Sequence, residues 1–205
     1  MTSLVVILAN GEFPHNGIPL GYLGRAGRIV CCDGAVKKLV EHGKEPWAIV
    51  GDLDSVPDSL KKKYRALLHH DNDLQINDLS KAVKYCITKE ISEVVILGAT
   101  GIREDHTIGN ISLLVDYAES VEVKMVTDWG VFIPVVSPAT ISTWPGQQVS
   151  VFSPDQGTRV RAEGLKYSLD NVVLSNWWIG TLNEAVSDKI VLKPESGRVI
   201  VYLNF

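Results

Sequence analysis

The chain has 205 residues, enough for one large domain or two small ones with a proper hydrophobic core. Hydrophobic residues make up 45% of the chain and charged residues 21%, so the composition excludes disordered, collagen-like and coiled-coil proteins. The net charge of -4 argues against a nucleic-acid-binding protein, because such proteins usually carry a basic stripe that neutralises phosphates.

The first part of the chain alternates short β-branched runs with amphipathic stretches, which is typical of strand and helix units around a parallel sheet. The predicted strands are residues 4–9, 28–32, 48–51, 93–97 and 122–126. The predicted helices are residues 34–42, 58–68, 77–88 and 110–118. Asn77 or Asp78 is expected to cap the third helix, and each helix carries an apolar stripe that faces the sheet.

After residue 128 the pattern changes to short strands separated by proline and glycine, which is typical of an all-β sandwich or barrel-like unit. The predicted strands are residues 131–136, 148–153, 158–162, 172–174, 189–192 and 198–203. The sequence therefore predicts an α/β domain over residues 1–128 with a parallel sheet, followed by an all-β sandwich domain over residues 129–205.

Three cysteines, Cys31, Cys32 and Cys86, offer neither a disulfide framework nor the usual spacing of a zinc site, so we expect reduced core residues. The first residues lack a basic segment, and the apolar run at 4–9 is too short to span a bilayer. We therefore expect a cytoplasmic protein with no membrane partner and no nucleic-acid partner.

Polar residues follow four of the predicted strands at the point where each strand ends. They are Asn10-Gly11, Asp33-Gly34, Asp52-Leu53-Asp54-Ser55 and residues 98–106. Ligands of open parallel sheets bind beyond the carboxyl ends of the strands, so we expect these residues to form one rim. Asp78 joins the rim if the third helix begins there.

Asp52 and Asp54 are the best candidates for a metal site, because Mg²⁺ takes oxygen ligands and is usually held by one or two carboxylates plus substrate phosphates. In an extended segment, residues two apart face the same side, so both carboxylates can face one ion. Asp33 can bind a ribose hydroxyl or a metal-bound water. Arg103 offers a planar donor fork to a phosphate whose charge grows during transfer.

Simpler explanations exist for several of these residues, since Asp-Gly pairs often form turns and Asp-x-Asp pairs often cap helices. His69 and His70 with the neighbouring aspartates are most simply a solvated loop. Tryptophans of the β part are expected in the core by default. Trp177 and Trp178 are adjacent, however, and adjacent residues on a strand face opposite sides. An exposed indole can stack on a heteroaromatic ring or a cation.

Seven segments, in this order along the chain, resemble those of the thiamin pyrophosphokinase family. They are Leu8-Ala9-Asn10-Gly11, Asp33-Gly34-Ala35, Gly51-Asp52-Leu53-Asp54-Ser55, Asn77-Asp78-Leu79, residues 98–107 with Asn110, Gly164-Leu165-Lys166-Tyr167 and Gly180-Thr181-Leu182-Asn183-Glu184. The family transfers pyrophosphate from ATP to the hydroxyl of thiamin. The resemblance implies an α/β ATP-binding domain followed by a β-sandwich thiamin-binding domain, a requirement for Mg²⁺, and a homodimer whose active sites lie between the two subunits.

The resemblance also implies roles for individual residues. Asp52, Asp54 and Asp78 would hold Mg²⁺, and with Arg103 and Asp105 they would form the catalytic set. The other implied substrate-binding residues are Asn10, Gly11, Asp33, Gly34, Ser55, Asn77, Gly98, Thr100, Gly101, His106 and Thr107, with Trp177, Thr181 and Asn183 on the thiamin side. Asp78 and Asp105 are both candidates for the group that accepts the hydroxyl proton.

Three positions depart from the family pattern. Ile102 stands where the family usually has glycine, Leu182 where it usually has serine, and Gln75 near a position that is often acidic. Leu182 leaves room for another Mg²⁺-dependent kinase or nucleotidyltransferase that acts on a different small alcohol. A non-catalytic nucleotide- or thiamin-binding sensor is the alternative from another class, although so many carboxylates are costly to bury without a metal ion.

Overall fold

The computed structural model describes residues 3–205, and the chain divides into two compact units. The first unit contains residues up to Asn110 together with Ser120–Asp128, and the second contains Ile111–Glu119 and Trp129–Phe205. Met1 and Thr2, with which the predicted first domain begins, lie outside the described residues. No helix within residues 3–205 is long and apolar enough to cross a membrane.

Six parallel strands form the sheet of the first unit. They are β1 (Val5–Leu8), β2 (Arg28–Cys32), β3 (Ala48–Gly51), β4 (Leu68–His70), β5 (Glu93–Leu97) and β6 (Glu122–Val126). Their order is β6-β5-β1-β2-β3-β4. All residues of β1 and β3 are buried, as expected for parallel strands covered on both faces. The five predicted strands are confirmed.

Strand β4 was not predicted, and the expectation of a loop at His69 and His70 was wrong. The strand has only three residues, lies at the edge of the sheet and is only partly buried. Such a short, half-exposed segment carries no apolar alternation that would reveal it. The predicted helix at 58–68 is correspondingly shorter and is followed by a 3₁₀ turn at Arg65–Leu67.

Five helices belong wholly or mainly to the first unit. They are α1 (Gly17–Arg25), α2 (Ala35–Glu41), α3 (Asp58–Lys63), α4 (Asp78–Thr88) and α5 (Glu104–Ser112). Helix α4 confirms the prediction, because Asn77 caps it by accepting a hydrogen bond of 2.9 Å from the backbone of Ser80. Helix α1 was missed because three glycines and Pro19 lower its helix propensity.

The helix expected at 110–118 is in fact two helices. Helix α5 begins at Glu104, where Glu104 and Asp105 favour a first turn through the helix dipole. It ends at Ser112, and the short helix α6 (Leu114–Tyr117) follows within the second unit. The apolar run after Asn110 therefore marks the buried end of α5 and the whole of α6, not the start of a helix.

Eight strands of the second unit form two antiparallel sheets. They are β7 (Gly130–Val135), β8 (Ala139–Ser142), β9 (Gln148–Phe152), β10 (Thr158–Glu163), β11 (Leu169–Leu174), β12 (Asn183–Glu184), β13 (Lys189–Ser196) and β14 (Val199–Asn204). Strands β12, β9, β14 and β7 pair in that order, and β11, β10, β13 and β8 form the other sheet. A shared core of valine, leucine and isoleucine side chains confirms the predicted sandwich.

The cysteine prediction is confirmed, since Cys31, Cys32 and Cys86 are free and buried. Burial raises the pKa of all three thiols, and the pKa of Cys86 rises to about 12. The thiols therefore stay protonated.

The default expectation of buried tryptophans was wrong, and the alternative, that at least one is exposed, is confirmed. Trp129 is 76% exposed, Trp144 is 50% exposed and Trp178 is 71% exposed. Trp177 is half-buried against Phe152, with ring centroids 5.7 Å apart. Trp177 and Trp178 lie in a turn after β11, so the argument from alternating strand faces does not apply to them.

Gly180 lets the turn that contains Trp177 and Trp178 pack closely on β9, and this close packing can be tested. The backbone nitrogen of Val151 donates a 2.7 Å hydrogen bond to the carbonyl of Gly180, and an added Cβ would overlap the carbonyl oxygen of Val151. Because overpacking costs about 1–3 kcal/mol, we expect Gly180→Ala to lower the thermal unfolding midpoint by roughly 3–10 °C.

The matched control is Gly21→Ala in α1, where an added Cβ meets no described atom within 4 Å. This change should leave the midpoint unchanged or raise it slightly, since alanine favours a helix over glycine by roughly 0.5–1 kcal/mol. Circular dichroism melts of both variants check the pair, and equal midpoints would contradict the tight packing of the turn.

Candidate active site

A cavity of about 640 Å³ lies at the carboxyl ends of β1, β2, β3 and β5, a volume in the range of small-ligand sites. It confirms the expectation that the polar strand ends form one rim. The predicted residues that line it are Asn10, Gly11, Asp33, Asp52, Asp54, Ser55, Asn77, Asp78, Gly101, Arg103 and His106. All of them belong to the first unit.

Three carboxylates meet in this cavity. Side-chain oxygens of Asp33, Asp52 and Asp54 lie within 4.8 Å of one another, close enough to share one metal ion. We expected Asp52 and Asp54 to face one ion because the segment was extended. That explanation was wrong, because Leu53 has a φ of 65° and the segment is not extended. The chain instead turns at Leu53, and the backbone nitrogen of Asp54 donates a 3.2 Å hydrogen bond to Asp52 Oδ1. The turn brings the two carboxylates together.

Asp33 carries a buried oxygen that has no protein partner. The residue is only 4% exposed, its Oδ2 accepts a 3.2 Å hydrogen bond from the backbone of Ser55, and its Oδ1 has no partner among residues 3–205. Burial raises the pKa of this carboxyl, and the charges of Asp78 and Asp52 add to the effect against the hydrogen bonds from Ser55. An orphaned carboxylate oxygen is costly, so a cation or a ligand hydroxyl fits this position.

Asp54 has the opposite environment. Its Oδ1 accepts a 2.9 Å hydrogen bond from the Ser55 hydroxyl, which lowers the pKa of the Asp54 carboxyl. It therefore stays ionised at the pH of the cell, as an oxygen ligand for a hard cation requires. Ser55 thus contacts both Asp33 and Asp54, and it fixes the spacing of two of the three carboxylates.

Asp78 approaches the cluster because Gly51 has no side chain. A Cβ at Gly51 would lie 3.0 Å from Asp33 Cβ and 3.2 Å from Asp78 Oδ1. Asp78 is the first residue of α4 and pairs with Lys81, one turn further on, at 3.0 Å. The Lys81 side chain is only 4% exposed. Burial lowers its pKa, but the hydrogen bond and charge of Asp78, with Asp52 behind it, outweigh burial and raise the pKa overall.

Lys81 is a charged residue of the cavity that sequence reasoning missed. It also lines the cavity, where its positive charge contacts Asp78 and acts on Asp52. The signal was present in the sequence, because Lys81 lies three residues after Asp78 and between Leu79 and Ala82 on the predicted buried face of the helix. A lysine in such a place needs an acidic partner.

Arg103 and Asp105 form a two-point ion pair. Arg103 Nε and Nη2 donate to the two oxygens of Asp105 at 3.1 and 2.5 Å, and this lowers the Asp105 pKa to about 2. Asp105 does not line the cavity, whereas Arg103 does. Asp105 therefore contributes to the cavity indirectly, by orienting the Arg103 guanidinium that lines it.

The remaining predicted residues of the first unit do not line the cavity, but they contact segments that do. Gly98 and Thr100 accept hydrogen bonds of 2.7 and 2.9 Å from the backbone after β1. A Cβ at Gly34 would lie 2.9 Å from Asn10 Nδ2. Thr107 Oγ1 donates to the carbonyl of Arg103 at 3.0 Å.

The three residues assigned to the thiamin side lie in the second unit. Asn183 is buried, and its side chain bonds both backbone groups of Tyr167, at 3.1 and 2.7 Å. Thr181 Oγ1 donates to the carbonyl of Trp178 at 2.8 Å. Asn183 therefore ties the 164–167 loop to β12, and Thr181 closes the turn that contains Trp177.

Comparison with known proteins gives a match over most of the chain. A sequence model of the thiamin pyrophosphokinase catalytic domain matches residues 21–126, and a model of the thiamin pyrophosphokinase substrate-binding domain matches residues 130–202. Thiamin pyrophosphokinase 1 of Caenorhabditis elegans is 27% identical over 207 residues, covering 90% of this chain and 85% of the relative. Thiamine pyrophosphokinase of Bacillus subtilis is 32% identical over 114 residues, 53% of this chain and 52% of the relative.

Solved structures share the fold. The thiamine pyrophosphokinase structure from Bacillus subtilis superposes with a TM-score of 0.79 at 21% identity and covers 98% of each chain. The yeast thiamin pyrophosphokinase structure gives a TM-score of 0.77 at 16% identity, covering all of this chain and 87% of its own.

The Lys81 pair yields a second test. Lys81→Met replaces the apolar stem of the side chain with one of similar volume but leaves Asp78 among like charges without its cation. Because a broken buried ion pair costs about 3–5 kcal/mol, and Asp78 is partly exposed, we expect a loss of roughly 1–3 kcal/mol in the free energy of unfolding.

Lys84→Met is the control, since Lys84 lies one turn further along α4, is 62% exposed and stands 3.9 Å from Asp71. A surface pair of this kind contributes at most about 1 kcal/mol. Chemical denaturation of both variants measures the difference, and an equal loss for the two lysines would show that Lys81 has no special partner.

Proposed function

Since the chain belongs to the thiamin pyrophosphokinase family, we propose that it transfers the pyrophosphate of ATP to the hydroxyl of thiamin, giving thiamin diphosphate and AMP. The carboxylates of Asp33, Asp52 and Asp54, gathered at the strand ends within the matched catalytic region, are the observation that supports this reaction most directly. They lie where nucleotides bind in open parallel sheets.

Mg²⁺ is the proposed cation, held by Asp52 and Asp54 with Asp78 beside them and the orphaned oxygen of Asp33 facing the same cavity. An all-oxygen donor set suits Mg²⁺, which usually keeps waters and substrate phosphates as its remaining ligands. When bound, the ion neutralises negative charge on the phosphates of ATP. We also propose that Asp33 binds a ribose hydroxyl or a metal-bound water.

Arg103 is proposed to bind the transferring phosphates through its planar fork, which Asp105 holds in orientation. The thiamin hydroxyl attacks the β-phosphorus in line, and positioning with charge neutralisation supplies most of the acceleration. A general base must lie within reach of the proton that it accepts, and Asp78 lines the cavity whereas Asp105 does not, so Asp78 is the better candidate for the base.

The second unit is proposed to bind thiamin through the turn and strand that carry Trp177, Thr181 and Asn183. We assign residues 1–128 to the ATP-binding domain and 129–205 to the thiamin-binding domain. A homodimer with active sites between subunits is part of the proposal. Large exposed side chains of the second unit, Trp178 at 71% and Leu182 at 70%, support a surface that another molecule covers.

A cytoplasmic location also belongs to the proposal. Three free, buried cysteines suit a reducing compartment.

The reaction is tested by incubating the protein with ATP, Mg²⁺ and thiamin and measuring AMP and thiamin diphosphate. We expect the two products in equal amounts. Formation of ADP in place of AMP would contradict pyrophosphate transfer. Turnover with another small alcohol but not thiamin would favour the alternative kinase, to which the apolar Leu182 gives room. Binding of ATP and thiamin with no AMP released would indicate a sensor.

Asp54→Asn, which removes one charge from the cluster, should lower kcat by roughly 10²-fold or more, the usual effect of losing one electrostatic contact to a transition state. The control is Asp58→Asn, an exposed carboxylate at the start of α3 that does not line the cavity. It should retain near wild-type turnover. A similar loss in both variants would point to a general effect on folding.

The shared site can be tested by complementation. Asp54→Asn alters the ATP-binding side of the proposed site, and Thr181→Ala alters the thiamin-binding side. If the sides come from different subunits, a mixture refolded together should recover about a quarter of wild-type activity, because half of the randomly formed dimers are mixed and each has one intact site. Sedimentation confirms that dimers formed, and dimers without recovered activity would place each site within one subunit.

A further inference from the structure

Two large aliphatic side chains are exposed on the lining of the cavity. Leu74 is 87% exposed and Ile102 is 68% exposed, and both line the cavity that holds the three carboxylates. A single exposed leucine on a protein surface needs no explanation. Two such side chains on separate loops, beside a cluster of charges, leave an apolar part within a polar site.

Ile102 adopts a conformation that a β-branched residue rarely takes. Its φ is 63°, and the backbone nitrogen of Arg103 donates a 2.7 Å hydrogen bond to the carbonyl of Gly101. This is a γ-turn with positive φ, which is uncommon and strained. Glycine would adopt the turn without strain. The isoleucine therefore costs stability here, and its side chain points out where a bound molecule can contact it.

Leu74 is held by an ordered loop. The backbone nitrogen of Asp73 donates to Asp71 Oδ1 at 3.0 Å, and that of Gln75 donates to Asp73 Oδ1 at 2.9 Å. These consecutive turns fix the backbone on both sides of Leu74. Its exposure is therefore a property of a defined loop conformation.

We propose that Leu74 and Ile102 bind the purine base of ATP between their side chains. The inference rests on the proposed function and adds to it the position of the base. ATP has charged phosphates, a polar ribose and one flat, uncharged part. The cavity offers carboxylates that would hold a cation for the phosphates, and it offers these aliphatic groups for the flat part. The carboxylates and the two aliphatic side chains line the same cavity. Its volume of about 640 Å³ suits a nucleotide.

The test compares two ligands that share the phosphates and differ in the base. Dissociation constants of ATP and of inorganic triphosphate, both with Mg²⁺, are measured by calorimetry for the wild type, Ile102→Gly and Leu74→Ala. We expect each change to weaken ATP binding by about five- to thirtyfold, the effect of losing one buried aliphatic contact, and to leave triphosphate binding unchanged.

Ile108→Ala is the control, because Ile108 is 57% exposed on α5 and does not line the cavity. It should alter neither constant. Ile102→Gly also relieves the strained turn, so its thermal midpoint should hold or rise, which separates a lost contact from a damaged fold.

Several outcomes overturn the inference. They are unchanged ATP binding in both variants, equal weakening of ATP and triphosphate, and a wild type that binds ATP no more tightly than triphosphate. Dissociation of a dimer in sedimentation, without a change in ATP binding, would identify a second copy of the chain as the occupant. The measurement needs no thiamin, so absence of AMP formation by the wild type counts against the proposed reaction and not against the base contact.

Discussion

The first unit gathers four carboxylates at one edge of its sheet, and the charge repulsion among them is the constraint that the rest of the site meets. Oxygens of Asp33, Asp52 and Asp54 lie within 4.8 Å of one another. Two such charges near a protein surface repel by roughly 3–4 kcal/mol. Burial and its neighbours raise the Asp33 pKa, and Lys81 offsets Asp78. The divalent cation proposed for this site would remove the repulsion that remains, so cation binding and charge balance would be linked there.

Three residues with strained backbone lie at the same edge. Asp33, Leu53 and Ile102 have φ values of 44°, 65° and 63°, and all three are in or beside segments that line the cavity. Each such residue costs of order 1–3 kcal/mol, and it persists only where surrounding structure determines it. Here the fully buried strands β1 and β3 supply that structure. The rigid sheet therefore holds these loops in conformations that the loops alone would not adopt. In those conformations the loops keep like charges close together.

The sequence predicted the sheet better than its loops. Buried parallel strands are continuous apolar runs, so β1 to β3 could be recognised, whereas β4 has three half-exposed residues and no pattern. The candidate site followed from strand ends, but its detail did not. Asp52 and Asp54 meet through a turn at Leu53 rather than along an extended chain. The left-handed backbone at Leu53 depends on tertiary contacts that a linear pattern does not contain. The pair of Asp78 with Lys81, by contrast, is local to α4 and could have been predicted from its spacing.

The two main departures from the family pattern differ in what they change. Ile102 and Leu182 both adopt left-handed backbone, with φ of 63° and 57°, and both are exposed. Glycine suits that conformation, so replacing it with isoleucine adds strain together with a side chain. Serine and leucine both carry a Cβ, so exchange at position 182 leaves the backbone cost similar and alters mainly the chemistry of the side chain. In the proposed function, the departure at 182 would therefore affect the identity of the acceptor, while the departure at 102 would affect both nucleotide binding and stability.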